Sequence, residues 1–401
     1  MNAKYYNENR NKLAQRLQHG LIVLYAYQEL QSVGDMTHKF TQEPNFWYLS
    51  GVNEPGWRLV IDGLTNKSWL IAPTIDDVHA VFDGILSSEQ ARELSGVETI
   101  ISADELEPLL RQLARKHKLV YTIDQPSWID RANFVPNPAL SENRKMLERI
   151  FPSVRSCNAE LAKLRAIKQP TEIAAIQKAI DVTCKSFAEV RNNITSYTHE
   201  YEIEADFTYD FIRCGSEGHA YEPIVASGKN ACTLHYNKNR DKLRTKNLVL
   251  LDVGAKIDGY AADITRTYAR GEPTKRQAAV HAAVQNAQSR IISLLGPSVS
   301  VERYHHDVDV IMIDTLRELD LVGADAQASL RKYMPHSIGH GLGLDVHDSL
   351  GAPRYFEPGM VLTVEPGIYI PEEGIGVRIE DDILITEKGY KNLSAKLSTD
   401  W

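Results

Sequence analysis

The chain has 401 residues, of which 43% are hydrophobic and 24% charged, and a formal net charge of −8. That length suits two to three domains with sizeable cores, and the composition is that of an ordinary soluble globular protein. The acidic balance, with no basic face in view, argues against a partner that is nucleic acid or an anionic membrane. The first ten residues are polar and lack the apolar stretch of a signal peptide. The nearby run Leu21-Ile-Val-Leu-Tyr-Ala-Tyr27 is too short for a membrane span and predicts a buried strand. Cys157, Cys184, Cys214 and Cys232 show no paired spacing, which fits reduced thiols in a cytoplasmic protein.

In chain order, strands are predicted at residues 21–27, 58–62, 68–72 and 119–123, and helices at 89–94 and 104–116. The second helix is entered through Ser102 with Glu105 three residues on, the pattern of a capping box. Strands and helices interleaved in this way predict a small α/β domain over residues 1–157. Beyond it, Pro170 opens a helix whose apolar face carries Ile173, Ile176, Ile180, Cys184 and Phe187. Further helices are predicted at about 199–213, 274–295 and 301–319, with hairpins supplying the rest. Helices set apart from hairpins, without a βαβ rhythm, predict an α+β domain over residues 158–401.

The hairpins carry the chemistry. Leu248-Val-Leu-Leu-Asp252 and Ala261-Ala-Asp263-Ile-Thr-Arg-Thr-Tyr268 flank Asp258-Gly259, a strong turn signal. Folding back there brings Asp252 and Asp263 within one residue of facing each other. Downstream, Met360-Val-Leu-Thr-Val-Glu365 and Gly376-Val-Arg-Ile-Glu380 flank Pro371-Glu-Glu-Gly374, and a turn centred on Glu372 and Glu373 sets Glu365 opposite Glu380. Facing carboxylates amid apolar neighbours are costly to bury without a cation. Taken singly, Asp252 reads as a turn former, Glu365 as a salt-bridge partner of Arg378, and Glu380 as part of a solvated acidic patch with Asp381 and Asp382. Paired, they read as metal ligands.

His336 and His340 sit four apart, but the glycines at 339, 341 and 343 argue against a helix, so a helical metalloprotease motif is not expected. His347 adds an imidazole nearby, His235 by itself reads as a core or surface histidine, and His281, His305 and His306 read as surface residues of amphipathic helices. Four carboxylates and one imidazole form a hard, oxygen-rich set that suits Mn²⁺, with Co²⁺ or Zn²⁺ able to substitute. Two such ions held close together lower the pKa of a shared water and polarise a carbonyl, which is the chemistry of amide hydrolysis.

The runs Leu250-Leu-Asp252-Val-Gly-Ala, Gly259-Tyr-Ala-Ala-Asp263-Ile-Thr-Arg-Thr, His336-Ser-Ile-Gly-His340-Gly-Leu-Gly-Leu-Asp-Val-His347-Asp, Val364-Glu365-Pro-Gly-Ile-Tyr and Val377-Arg-Ile-Glu380-Asp-Asp together resemble the pita-bread metallopeptidases. Within them the likeness is to the proline-specific branch, aminopeptidase P and prolidase, and it covers essentially the whole chain. Leu164-Arg-Ala-Ile-Lys168-Gln-Pro-Thr-Glu-Ile173 looks like that family's approach to the catalytic domain, and Asn45-Phe-Trp-Tyr-Leu-Ser-Gly51 resembles the N-terminal domain of the aminopeptidase P group. The resemblance implies two divalent ions per subunit, with Asp252 on one, Asp263 bridging both, His340 completing the second, and Glu365 and Glu380 supplying the remaining carboxylates. It further implies that His235 and His347 hold the substrate's carbonyl and proline region, that His336 lines the pocket, and that Arg378 orients a ligand carboxylate. The implied activity is hydrolysis of Xaa-Pro bonds at a free peptide N-terminus by a homodimer or homotetramer, with prolidase the alternative. A metal-free creatinase-like amidinohydrolase or a pita-bread binding module would show replaced ligands, and all five are present. A methionine aminopeptidase would resemble the catalytic half but lack the leading α/β domain.

Overall fold

The apolar run near the N-terminus forms the strand Leu21–Tyr25, buried along its whole length. In the computed structural model, which describes residues 1–76, 80–82, 84–125 and 134–401, it is an inner strand of a six-stranded sheet. The order across that sheet is Thr99–Ser102, Lys67–Ala72, Arg58–Asp62, Leu21–Tyr25, Leu119–Thr122 and Ser153–Ser156. Arg58–Asp62 pairs antiparallel with both of its neighbours, while the other pairings are parallel. Leu21, Val23 and Tyr25 pack with Leu106, Leu110, Leu113 and Leu147. The predicted capping box at Ser102 and Glu105 is present, opening a 3-10 turn that leads into the helix Leu106–Leu113.

The helix Ala3–Arg16 has no counterpart among the sequence-based expectations, because its inner face carries Asn9 and Arg10 beside Tyr5, Tyr6, Leu13 and Ala14. Arg10, only 2% exposed, donates to the carbonyls of Leu49 at 2.7 Å and Ser95 at 3.0 Å. Those residues lie in the last turns of the helices Pro44–Ser50 and Ser88–Ser95, where a cation meets unpaired carbonyls and the negative end of each dipole. Both helices stop at a left-handed glycine, Gly51 and Gly96. A polar residue thus takes a core position because two helix ends need a donor there.

The chain folds as two compact units, Met1–Leu164 and Arg165–Trp401. The second unit is α+β. Its helices are Pro170–Asn192, Glu200–Arg213, Lys275–Ile292, Val301–Glu318 and Ala326–Tyr333, the last of them unanticipated. Ile176, Ile180, Cys184 and Phe187 are buried on the first, as its periodicity predicts. His281 corrects an expectation: it is 3% exposed and stacks on Trp401 at 3.9 Å between ring centres, and burial pushes its pKa down to about 4. His305 and His306 are exposed. Among the described residues no helix is long and apolar enough to cross a membrane.

Two hairpins build the centre of this unit. Leu248–Val253 pairs antiparallel with Ile264–Ala269, and the same register continues through Lys256–Ile257 and Tyr260–Ala261 to a two-residue turn at Asp258-Gly259. Both turn residues have positive φ, 51° and 81°, as this tight turn requires. The register places Thr265, not Asp263, opposite Asp252. Asp263 therefore lies two residues nearer the turn and on the same face, a diagonal neighbour rather than a facing one. In the second hairpin Gly367–Ile370 pairs with Ile375–Arg378, and extending its register by one step on the same face sets Glu365 opposite Glu380 as predicted. The two hairpins join at an antiparallel bridge between Thr265 and Glu380, where the Glu380 amide donates to the Thr265 carbonyl at 3.0 Å.

Gly254 lies between the two carboxylates of the first hairpin, where the partner strand and Tyr221 come close to its α-carbon. A Cβ there would stand 1.8 Å from the Ala262 carbonyl oxygen and 3.0 Å from the Tyr221 ring. Gly254→Ala is expected to destabilise the protein by more than about 3 kcal/mol, in the upper range for a single substitution. Urea denaturation followed by far-UV circular dichroism checks this, and an unchanged midpoint would show that the hairpin relaxes freely.

Candidate active site

Asp252 and Asp263 meet on one hydroxyl. Tyr221 lies 2.7 Å from Asp252 Oδ1 and 2.6 Å from Asp263 Oδ1. A phenol has one hydrogen and donates to one carboxylate at a time, so the second contact needs another proton or a cation. Burial, then the charges of Asp252 and Asp263, push the Tyr221 pKa well above its ordinary value, so it stays a donor. Nothing in the sequence around Tyr221 distinguishes it from a core tyrosine. Its ring reaches the two carboxylates past Gly254, where a Cβ would crowd it.

The imidazoles come from an extended segment laid along the strand Val361–Val364. The Thr363 amide donates to the His340 carbonyl at 2.9 Å, and the Glu365 amide donates to the Ile338 carbonyl at 2.9 Å. At Gly339 a Cβ would stand 2.1 Å from the Thr363 carbonyl oxygen, so glycine is needed for this approach, and the two histidines indeed do not lie on a helix. His340 donates from Nδ1 to the Gly341 carbonyl at 3.0 Å. That fixes the ring so that Nε2 faces Asp263 at 3.4 Å and Glu365 at 3.6 Å. His347 stacks beside it, with ring centres 4.1 Å apart. His336 lies 3.6 Å from Glu365 and 2.9 Å from the Tyr369 hydroxyl.

Arg378 stands behind the carboxylates. It is 4% exposed and donates to Asp252 Oδ2 at 2.5 Å, to the Tyr369 hydroxyl at 2.8 Å and to the Thr265 hydroxyl at 3.1 Å. Thr265 in turn donates to Glu380 at 2.6 Å. The sequence expectation for Asp381 and Asp382 needs correction, since both are buried and neither belongs to a solvated patch. Asp381 takes the guanidinium of Arg266 at 2.6 Å, with Ser394, Asn392 and Gln288 completing its partners. Asp382 accepts from the Asp263 amide at 3.2 Å. Of the acidic run that reads as surface, only Glu380 lines the cavity, and Asp381 and Asp382 are buried behind it.

Asp263, His340 and Glu380 each offer a ligand atom within 4.8 Å of the others, while Asp252 shares the Tyr221 hydroxyl with Asp263 and Glu365 lies 3.6 Å from His340 Nε2. The crowding has an electrostatic signature. Burial, with further carboxylates added, pushes Glu380 well above its ordinary range, and burial raises Glu365 to about 7 against the opposing pull of His340 and Arg378. Burial lowers the His340 pKa, but its hydrogen bond to Asp263 and the charges of Asp263 and Glu365 outweigh that and hold it at about 9. His336 behaves oppositely: burial, helped by Arg378, lowers it to about 4. Crowded carboxylates whose charge is opposed by burial, together with an imidazole whose Nε2 is aimed at them, fit a divalent ion.

One cavity of about 570 Å³ gathers every residue singled out by sequence, namely Asp252, Asp263, His340, Glu365, Glu380, His235, His336, His347 and Arg378. Tyr221, Glu222, Ile224, Leu234, Asn237 and Val346 complete much of its wall. A hard-ligand centre at the base of a cavity this size, with imidazoles on its side, defines a hydrolytic metalloenzyme. The profile of metallopeptidase family M24 matches residues 174–387, and that of the aminopeptidase P N-terminal domain matches residues 6–121. The chain belongs to metallopeptidase family M24 and is a metallo-exopeptidase, with an α/β domain leading a pita-bread catalytic domain. It is 33% identical to the Xaa-Pro aminopeptidase of Escherichia coli, covering 98% of this chain and 94% of that one. Aminopeptidase P of Escherichia coli, solved with the inhibitor Pro-Leu, superposes with a TM-score of 0.87 at 30% identity, covering 99% and 96% of the two chains. Proline aminopeptidase P II of Yersinia pestis superposes at 0.85 and 31% identity, covering 100% and 98%.

The proton load yields a prediction. Below about 7 both Glu365 and His340 hold protons in the metal-free protein, and between about 7 and 9 His340 still does. Metal binding displaces those protons, so affinity should rise with pH through this window and level off above it. Calorimetric titration of the apoprotein with Mn²⁺ at pH 7, in buffers of different ionisation enthalpy, should show net proton release. Heats independent of the buffer would refute it.

Proposed function

We propose that this protein is an Xaa-Pro aminopeptidase that hydrolyses the bond before a proline in the second position of a peptide with a free N-terminus. The carrying observation is the convergence of Asp252, Asp263, Glu365 and Glu380 with the imidazoles of His235, His336, His340 and His347 on one cavity. Asp252, Asp263, His340, Glu365 and Glu380 would hold two divalent ions, Mn²⁺ before Co²⁺ or Zn²⁺, and when bound these supply Lewis acidity and a water of lowered pKa. Residues 158–401 form the catalytic domain in this reading, and 1–157 the N-terminal one.

The chain's own residues do the rest. Glu365, which lines the cavity beside His336 and His340, would accept the proton given up by the attacking water. His235 and His347 take the substrate's carbonyl and proline region, and burial followed by the charge of His340 lowers the His347 pKa, which keeps it neutral. His336, held by Tyr369, lines the pocket. Arg378 orients Asp252 and partly offsets the burial that raises the pKa of that carboxyl. Four unpaired cysteines support a reducing compartment, the cytoplasm, and the family likeness supports a homodimer or homotetramer.

A proline after the scissile bond gives a tertiary amide with no N–H, so selectivity rests on an apolar wall and an anchor for the free amine. With Mn²⁺ present, Ala-Pro-Ala should be cleaved at least as well as Ala-Pro, and N-acetyl-Ala-Pro-Ala and Ala-Ala-Ala poorly. Preference for Ala-Pro alone would move the assignment to prolidase, and good turnover of Ala-Ala-Ala would remove proline specificity.

Ligand and substrate imidazoles separate by metal content. His340→Ala should lose at least one ion per subunit. His347→Ala should keep its ions and lose about 10²–10³-fold in kcat, the scale of one transition-state hydrogen bond. Elemental analysis of both variants checks this, and equal metal loss would show that the imidazoles are misassigned.

A further inference from the structure

Arg165 and Lys168 precede the first helix of the catalytic unit and Glu172 lies in its first turn, and none of the three lines the cavity. All three are nonetheless buried, at 5%, 4% and 1% exposure. Arg165 donates to Asp348 at 2.9 Å and to Asp345 at 2.7 Å, and the Lys168 ammonium lies 3.4 Å from the other Asp348 oxygen. Asp348, itself 5% exposed, thus carries two buried cations, far more than a loop aspartate needs for solubility. It follows His347 directly. His347 lines the cavity and Asp348 does not.

The loop that carries both residues is closed on itself. The Asp348 amide donates to the Gly341 carbonyl at 2.8 Å, and at Gly343 a Cβ would stand 2.2 Å from Asp348 Oδ2. The same loop is tied to the first hairpin, where the Ala261 amide donates to the Gly343 carbonyl at 2.9 Å. Glu172 reaches that hairpin as well, accepting from the buried Tyr260 hydroxyl at 2.8 Å. The segment 165–172 therefore grips both the loop that presents His347 and the hairpin that presents Asp263, and the Lys168 amide fixes the segment to the Gly359 carbonyl at 2.9 Å.

We infer that residues 165–172 form a brace, with Lys168 and Arg165 as positioning residues that act through Asp348 to hold the His347 imidazole against the substrate. This rests on the substrate role given to His347 above. A charge pair of this kind fixes orientation, and a displacement near 1 Å at a reacting group costs about 10²-fold in rate.

The test is a double-mutant cycle on the metal-loaded enzyme with Ala-Pro-Ala, combining Lys168→Met with His347→Ala. Lys168→Met alone should lower kcat by about 10²-fold, leave KM within about twofold and keep the wild-type ion content. Lys168→Arg should recover most of the loss. In the His347→Ala background, Lys168→Met should cost less than about twofold more. Equal fold-losses in both backgrounds, or loss of an ion on Lys168→Met, would overturn the brace, since the effect would then be general or run through His340. Full activity of His347→Ala alone would instead overturn the role of His347. If Lys168→Met yields no soluble protein, Asp348→Asn, which keeps the side chain's shape, should show the same non-additivity, and additive losses there would equally overturn the proposal.

Discussion

The catalytic unit depends on one junction, where the first hairpin meets the second at Thr265 and Glu380. The bridge there is a single backbone pair reinforced by the Thr265 hydroxyl on the Glu380 carboxylate. Everything acidic in the site is set by it. Asp252 faces Thr265 within the first hairpin, Asp263 lies two residues along, and Glu365 faces Glu380 across the second. Sheet pairing fixes side chains to a given face with a period of two, so four carboxylates can be assembled from two local structures without any long loop. A slip of one residue in either register would turn its acids to the opposite face.

Holding those acids together before any cation arrives requires other positive charge nearby, and the fold supplies it from behind. Arg378 reaches Asp252, Tyr369 and Thr265 at once. Arg266, 1% exposed, donates to the carbonyls of Glu380 and Thr265 as well as to Asp381, and so grips the junction from the side away from the carboxylates. Planar guanidinium groups suit this work because their several donors are fixed in one plane and their charge persists when buried. Removing either would leave buried acids or carbonyls unpaired, so both arginines serve folding and the site in the same contact.

Much of this is legible in the sequence because the hairpins are local. Asp258-Gly259 marks the first turn and Pro371-Glu-Glu-Gly374 the second, and spacing from those turns predicts Glu365 opposite Glu380 correctly and Asp263 one register step out. Long-range contacts are not legible. Tyr221 precedes the first hairpin by some thirty residues and meets it only because Gly254 admits its ring. Asp381 and Asp382 look like surface acids until Arg266, Ser394 and Asn392 are brought to them from elsewhere in the chain. His281 escapes for a related reason: helical periodicity places it beside an apolar face, but only the stack with Trp401 shows that the face is covered. Arg10 hides a whole helix by putting a charge where periodicity expects an apolar residue.

The arrangement of imidazoles around the carboxylates bears on how such a site tells substrate from water. His336 and His347 are lowered in pKa by burial and so stay neutral, while His340 alone is drawn up by Asp263 and Glu365. A neutral imidazole donates from one nitrogen and accepts at the other, so it can meet a carbonyl oxygen without adding charge to a centre already crowded with it. His340 differs because its Nδ1 is committed to a backbone carbonyl and its Nε2 is pressed among oxygens. The electrostatic difference between His340 and the other two imidazoles is thus set by contacts two or three atoms away. Three histidines within twelve residues look alike in sequence, and the strand that the second lies against aims its ring at Asp263 and Glu365.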